Sequence, residues 1–116
     1  MGNSRVLAVI PAYNEQDNIV STIEDLRNNA PGIDYVVIND GSRDLTLDIC
    51  KERGYNYVNL PVNLGLAGAF QTGMRYASEH GYDYAIQFDA DGQHSAAYID
   101  DMVALAESRE ANIVIG

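Results

Sequence analysis

Ala85-Ile86-Gln87-Phe88-Asp89-Ala90-Asp91-Gly92-Gln93-His94 is the stretch on which the reading of this chain turns. An apolar run suited to a buried strand stops abruptly at two carboxylates and a glycine turn. Asp89 and Asp91 alternate with Ala90, so in extended backbone their side chains point to the same side. Carboxylates held that close repel unless a proton or a cation lies between them. Hard oxygen ligands at a strand end suit Mg2+ or Mn2+, ions that commonly share their shell with phosphate oxygens and water. The competing reading is structural: Asp89 closes the strand and Asp91-Gly92 makes an ordinary turn.

Outward from this stretch the same design recurs. Val6-Leu7-Ala8-Val9-Ile10, closed by Pro11, is apolar at every position, as in a strand covered on both faces. Asn14 is placed to cap a helix, with Glu15 and Asp17 in its first turn and Ile19, Ile23, Leu26 and Ala30 at helical spacing. A second strand, Tyr35–Ile38, ends in Asn39-Asp40-Gly41-Ser42, and Ser42 or Asp44 is placed to cap a helix carrying Leu45, Ile49 and Cys50 that Gly54 stops. Tyr57–Leu60 reads as a shorter strand. Asn63-Leu64-Gly65-Leu66-Ala67-Gly68 opens a third helix with Leu66, Phe70, Met74 and Ala77 on one face. The fourth strand, Tyr84–Phe88, leads into the acidic turn. Ser95 then caps a helix bearing Ile99, Met102, Val103 and Ala106, and Ile113–Ile115 begins a fifth strand.

Strands alternating with helices make an α/β chain: one domain over residues 1–116, with a mostly parallel, Rossmann-like sheet and helices on both faces. Ligands bind such sheets beyond the carboxyl ends of the strands, where the strand order reverses. Tyr13-Asn14-Glu15, Asp40-Gly41-Ser42 and Asp89-Ala90-Asp91 all follow strands and are expected on one rim. The strand at Ile113–Ile115 has no helix after it to cover its apolar face, so the chain is expected to be a piece of a longer protein.

Composition narrows the partners. A net charge of −10, with Lys51 the single lysine beside six arginines, disfavours nucleic acid and anionic lipid. A phosphorylated ligand remains open, because a divalent cation reverses the sign locally. Cys50 is alone, which leaves no intrachain disulfide and no cysteine zinc site and fits a reducing, cytoplasmic setting. No apolar run approaches the roughly 20 residues of a membrane span. There is no G-x-G-x-x-G after the first strand, no P-loop, no G-x-S-x-G elbow and no H-E-x-x-H. Gly65 and Gly68 read as packing glycines more than as a phosphate cradle. His94 stands open as a ligand or a solvated loop residue, and Tyr13 as a base-stacking ring or a strand-end packer.

Four segments carry a resemblance: Val9-Ile10-Pro11-Ala12-Tyr13-Asn14-Glu15, Val37-Ile38-Asn39-Asp40-Gly41-Ser42-Arg43-Asp44, Asn63-Leu64-Gly65-Leu66-Ala67-Gly68-Ala69 and Phe88-Asp89-Ala90-Asp91-Gly92-Gln93-His94. Their order and spacing resemble the nucleotide-binding half of a family 2 glycosyltransferase of the GT-A fold. The last segment is most similar to enzymes that move a sugar onto a polyprenyl or dolichol phosphate. The resemblance implies a UDP- or GDP-sugar donor and a polyprenyl phosphate acceptor. It puts Pro11, Tyr13 and Glu15 around base and ribose, with Ile38 and Asp40 at the nucleobase. It also puts Mg2+ or Mn2+ on Asp89 and Asp91, Ala90 beside the ribose and Gln93 near the sugar. Asn39 departs from a frequent Asp, and Ser95 from a frequent Pro. The acceptor-binding elements and the catalytic base of this family are expected beyond residue 116. The alternatives are a nucleotide-binding module without catalysis and, because Asp89-Ala90-Asp91-Gly92 imitates its nucleophile motif, a haloacid-dehalogenase-like phosphatase.

Overall fold

The computed structural model describes residues 5–89 and 113–115. Along the chain run β1 (Val6–Ala12), α1 (Ile19–Asn29), β2 (Asp34–Asp40), α2 (Thr46–Arg53), β3 (Tyr57–Leu60), α3 (Gly65–Glu79), β4 (Tyr84–Gln87) and β5 (Ile113–Ile115). The strands form one sheet in the order β3-β2-β1-β4-β5, and every neighbouring pair is parallel. The expected α/β sheet is therefore present. The expected helix after Ser95 lies outside the described residues.

Alternation along β1 sorts the core into two layers. Ala8, Ile10 and Ala12 face Ile19, Ile23 and Leu26 of α1 and Cys50 of α2, while Leu7 and Val9 face Ala69, Phe70 and Ala77 of α3. This is why the run from Val6 to Ile10 is apolar at both parities: each side meets a helix. Complete burial of Ile19, Ile23 and Leu26 at i, i+4 and i+7 fastens α1, each side chain contributing about 2 kcal/mol. Gly54 ends α2 as expected, with φ +68° and its N–H returning to the carbonyls of Cys50 and Lys51.

Two element boundaries and the placing of two leucines differ from the expectation. β1 continues through Pro11, which pairs in register with Ile38. Val9 turns its carbonyl to β4, where the Phe88 N–H donates to it at 2.9 Å. Alternation puts the donor that Pro11 lacks on that same side, beyond the last β1–β4 pair, so no ladder bond is lost. Asn14 does not cap α1, which starts at Ile19 with Asn18 as its N-cap. Leu45 and Leu66, expected on apolar helix faces, are 57% and 58% exposed, because both stand at helix starts on the rim of the sheet instead of above it.

Candidate functional site

The connections α1 and α2 step the chain from β1 outward to β2 and β3 over one face, and α3 carries it back across the other face to β4. The strand order thus reverses between β1 and β4, which leaves a crevice beyond their carboxyl ends. A cleft of about 360 Å³ lies there. Pro11 and Ala12 at the end of β1, with Tyr13 and Glu15 beyond it, form one wall. Asp40, the last residue of β2, stands beside Asn63, Gly65 and Leu66 from the start of α3, and Asp89 enters just past β4.

Pro11, Tyr13, Glu15, Asp40 and Asp89, named from the sequence, are therefore brought together. Ile38 is not: its side chain is wholly buried with Val36, Leu7 and Val9 against α3. Two residues before Asp40 on the same face, it is packing beneath the site. Ala90, Asp91, Gln93 and His94 lie outside the described residues. Tyr13 is 43% exposed at the cleft mouth, so its ring is not spent on packing at the strand end.

Asp40 is almost fully buried, and its carboxylate is held by the start of α3. Oδ1 accepts the Leu64 N–H at 2.7 Å, and Oδ2 accepts the Gly65 N–H at 3.0 Å and Asn63 Nδ2 at 3.2 Å. A carboxylate suits that position because the first N–H groups of a helix lack partners and carry its positive dipole end. Gly41 has φ +70°, and a Cβ there would lie 2.5 Å from the Asn63 nitrogen, so the turn after β2 can abut the start of α3 only as glycine. Asn39 points to the other face, where its Nδ2 donates to Asn59 Oδ1 at 2.8 Å. Its departure from the more usual Asp is thus away from the cleft.

Asp89 Oδ1 accepts Gln87 Nε2 at 3.0 Å. Gln87 is buried, a polar residue at the end of an otherwise apolar strand, and that pattern was the visible signal of a supporting role. Asn63 and Leu66 are lining residues that the sequence reading passed over, because glycine spacing drew attention to packing instead. Among the described residues the cleft walls carry three carboxylates (Glu15, Asp40 and Asp89) and neither lysine nor arginine. An anionic ligand needs a cation or free N–H groups there, and those of Leu64 and Gly65 already serve Asp40. The donor set is hard oxygen, which fits Mg2+ or Mn2+. Among the described residues no three acidic, histidine or cysteine side chains converge as a metal group, and Asp91 is not among them.

The chain is similar to known proteins over nearly its whole length. It is 35% identical to undecaprenyl-phosphate mannosyltransferase of Micrococcus luteus, covering 97% of this chain and 47% of that protein. It is 32% identical to UDP-N-acetylglucosamine–dolichyl-phosphate N-acetylglucosaminyltransferase of Methanococcus voltae, covering 100% and 53%. The chain thus spans about half the length of the curated relatives it matches. Among solved structures it superposes on glucosyl-3-phosphoglycerate synthase of Mycobacterium tuberculosis, crystallised with Mn2+, uridine diphosphate and glucosyl-3-phosphoglycerate. That match has a TM-score of 0.70 at 22% identity, covering 89% of this chain and 39% of that one. At that identity the likeness shows the fold alone, the GT-A arrangement of sheet and helices. A family model described as Glycosyl transferase family 2 matches residues 7–116, from β1 through β5, and with the cleft at the β1–β4 reversal already in view the chain belongs to that family.

Proposed function

We propose that this chain is the nucleotide-sugar-binding part of a glycosyltransferase that takes a UDP- or GDP-sugar and passes the sugar to an acceptor, a polyprenyl phosphate. The observation that carries this is the shared cleft: the loops bearing Tyr13, Asp40 and Asp89 open on one hollow at the sheet's reversal point. Tyr13 offers an exposed ring for stacking on a base, with Pro11 and Glu15 beside it. Asp40 presents a carboxylate already fixed by the start of α3, able to accept a further N–H from a nucleobase through the lone pair left on Oδ1. Asp89, with Asp91, would hold Mg2+ or Mn2+, which when bound neutralises charge on the departing nucleoside diphosphate. Ala90 and Gln93 would stand by the ribose and the sugar. The names of the relatives support a lipid-linked acceptor, which would put transfer at the cytoplasmic face of a membrane. No helix of the described residues is long and apolar enough to cross one.

Family membership and a motif standing after the fourth strand in sequence speak against the phosphatase alternative. Calorimetric titration of the full chain with UDP and with GDP, each with Mn2+, Mg2+ or a chelator, tests the proposal and identifies the base. Metal-dependent binding of one nucleotide is expected. Binding of neither with either metal would sink it. A transfer assay with polyprenyl phosphate on the whole protein separates an enzyme from a binding module.

A further inference from the structure

Two residues that do not line the cleft hold the ones that do. Asn14, between Tyr13 and Glu15, has φ +54°, the one positive value at a non-glycine among the described residues. Such backbone is disfavoured for any side chain, least for Asn and Asp, and persists where the surroundings enforce it. Here the enforcement comes from the connection between β2 and α2. The Asn14 N–H donates to Ser42 Oγ at 3.0 Å, and Asn14 Oδ1 accepts the Arg43 N–H at 2.8 Å. The next two N–H groups are taken by the first residue of α2 and by the same connection: Glu15 donates to Thr46 Oγ1 at 2.9 Å and Gln16 to Asp44 Oδ2 at 3.1 Å. Gln16 Oε1 returns the contact by accepting the Leu45 N–H at 3.0 Å. Asp44 is the hub, since its Oδ1 also accepts the Thr46 N–H and hydroxyl and so turns a Thr46 lone pair toward Glu15.

The segment from Asp40 to Thr46 therefore grips both walls of the cleft. At its first residue it caps α3, and from Ser42 onward it fastens the turn bearing Tyr13 and Glu15. We propose that Asn14 and Asp44 are positioning residues for the cleft's ligand: the left-handed turn at Asn14 aims Tyr13 and Glu15 into the hollow, and Asp44 locks that turn to the end of β2. The inference rests on the nucleotide-binding role proposed for the cleft. Without the lock, the turn relaxes toward ordinary backbone and the Tyr13 wall moves independently of Asp40 and α3. Ligand affinity then falls while the sheet stays intact.

The test uses the full chain with Asp44→Ala, Asn14→Ala and the conservative Asn14→Asp, which keeps an acceptor for Arg43 and tolerates the turn. Two readouts are taken: titration with UDP and GDP in Mn2+, and residue-resolved amide hydrogen exchange. Both alanine variants are expected to bind the nucleotide about tenfold more weakly, and Asn14→Asp within about threefold of wild type. In Asp44→Ala the Glu15 and Gln16 N–H groups should exchange about tenfold faster or more, while Val9 and Val37 in the sheet keep the wild-type rate. Unchanged exchange at Glu15 and Gln16, or acceleration spread equally through β1 and β2, would overturn the lock. Wild-type affinity in a variant whose loop amides have come free would overturn the positioning role. A wild-type chain that binds neither nucleotide overturns the reading of the cleft and this inference with it, an outcome the unsubstituted chain reports before any variant is made.

Discussion

Asp40 Oδ1 accepts the Leu64 N–H at 2.7 Å, so the last residue of one strand caps a helix that begins 25 residues later, at Gly65. Removing the carboxylate leaves the Leu64 and Gly65 N–H groups without it in a partly buried place. Asp40→Ala is expected to destabilise the chain by about 2 kcal/mol, and Asp40→Asn, which keeps one acceptor, by about half as much. The midpoint of urea unfolding at unchanged slope measures both. A loss under roughly 0.5 kcal/mol for the alanine variant would contradict the capping role.

Gly73 of α3 lies directly against Val9 of β1. A Cβ there would fall on Val9 Cγ1 and lie 2.8 Å from Cγ2. Alanine is the better helix former by about 1 kcal/mol, yet Gly73→Ala is expected to destabilise by about 1–3 kcal/mol through overpacking. Val9→Ala in the same chain should recover part of that loss, a non-additivity read from a double-mutant cycle.

Three carboxylates on the cleft walls make nucleotide binding dependent on a cation under the proposed function. A chelator is expected to weaken UDP or GDP binding about a hundredfold or more. Asp89→Ala and Asp91→Ala should each reproduce that loss, and adding chelator to either variant should change little further. Full metal dependence persisting in Asp89→Ala would remove Asp89 from the metal site.

Asp44 supplies a pH dependence. Burial pushes its carboxyl up, but hydrogen bonds from the Thr46 hydroxyl and from the Thr46 and Gln16 N–H groups outweigh that and hold it below 3.8. A carboxyl depressed on folding stabilises the folded chain above its unfolded value, and that contribution fades as pH falls through the lower folded value. Asp44→Asn should therefore be less stable than wild type at neutral pH, with the gap narrowing as pH drops below 3.8. Urea midpoints across the acid range give the comparison; a gap that widens on acidification would reverse the sign.

Cys50 is wholly buried among α1, α2 and β1, and burial pushes its thiol up to about 11. Thiolate is the reactive form, so at pH 8 the native chain should resist thiol reagents. Labelling is expected to follow the rate of opening and to quicken in urea below the unfolding midpoint. Fast stoichiometric labelling of the native chain would show that the layer between α1 and the sheet is open.

The element types were legible because hydrophobic period reports backbone geometry and burial together. Residues 6–10 are apolar at both parities, which a strand between two helical layers requires, and Ile19, Ile23 and Leu26 recur at the spacing of one helix face. The convergence of Tyr13, Asp40 and Asp89 was legible for the same reason, since each follows a strand of a parallel sheet and parallel strands share one carboxyl edge.

Partnerships across that edge were not. Asn14 looks like a helix cap in local sequence, but its side chain serves Arg43, and α1 begins five residues later. Asp40 reads as a rim residue at a strand end and is also a helix cap, and Pro11 looks like a strand terminator and pairs with Ile38. A polar side chain near a strand end has several donors and acceptors within reach. Its choice among them depends on which strands became neighbours and in what register, and spacing along the chain carries no record of that. Apolar side chains need only a face to bury, so local period was enough for the core, while directional hydrogen bonds waited for the sheet to assemble.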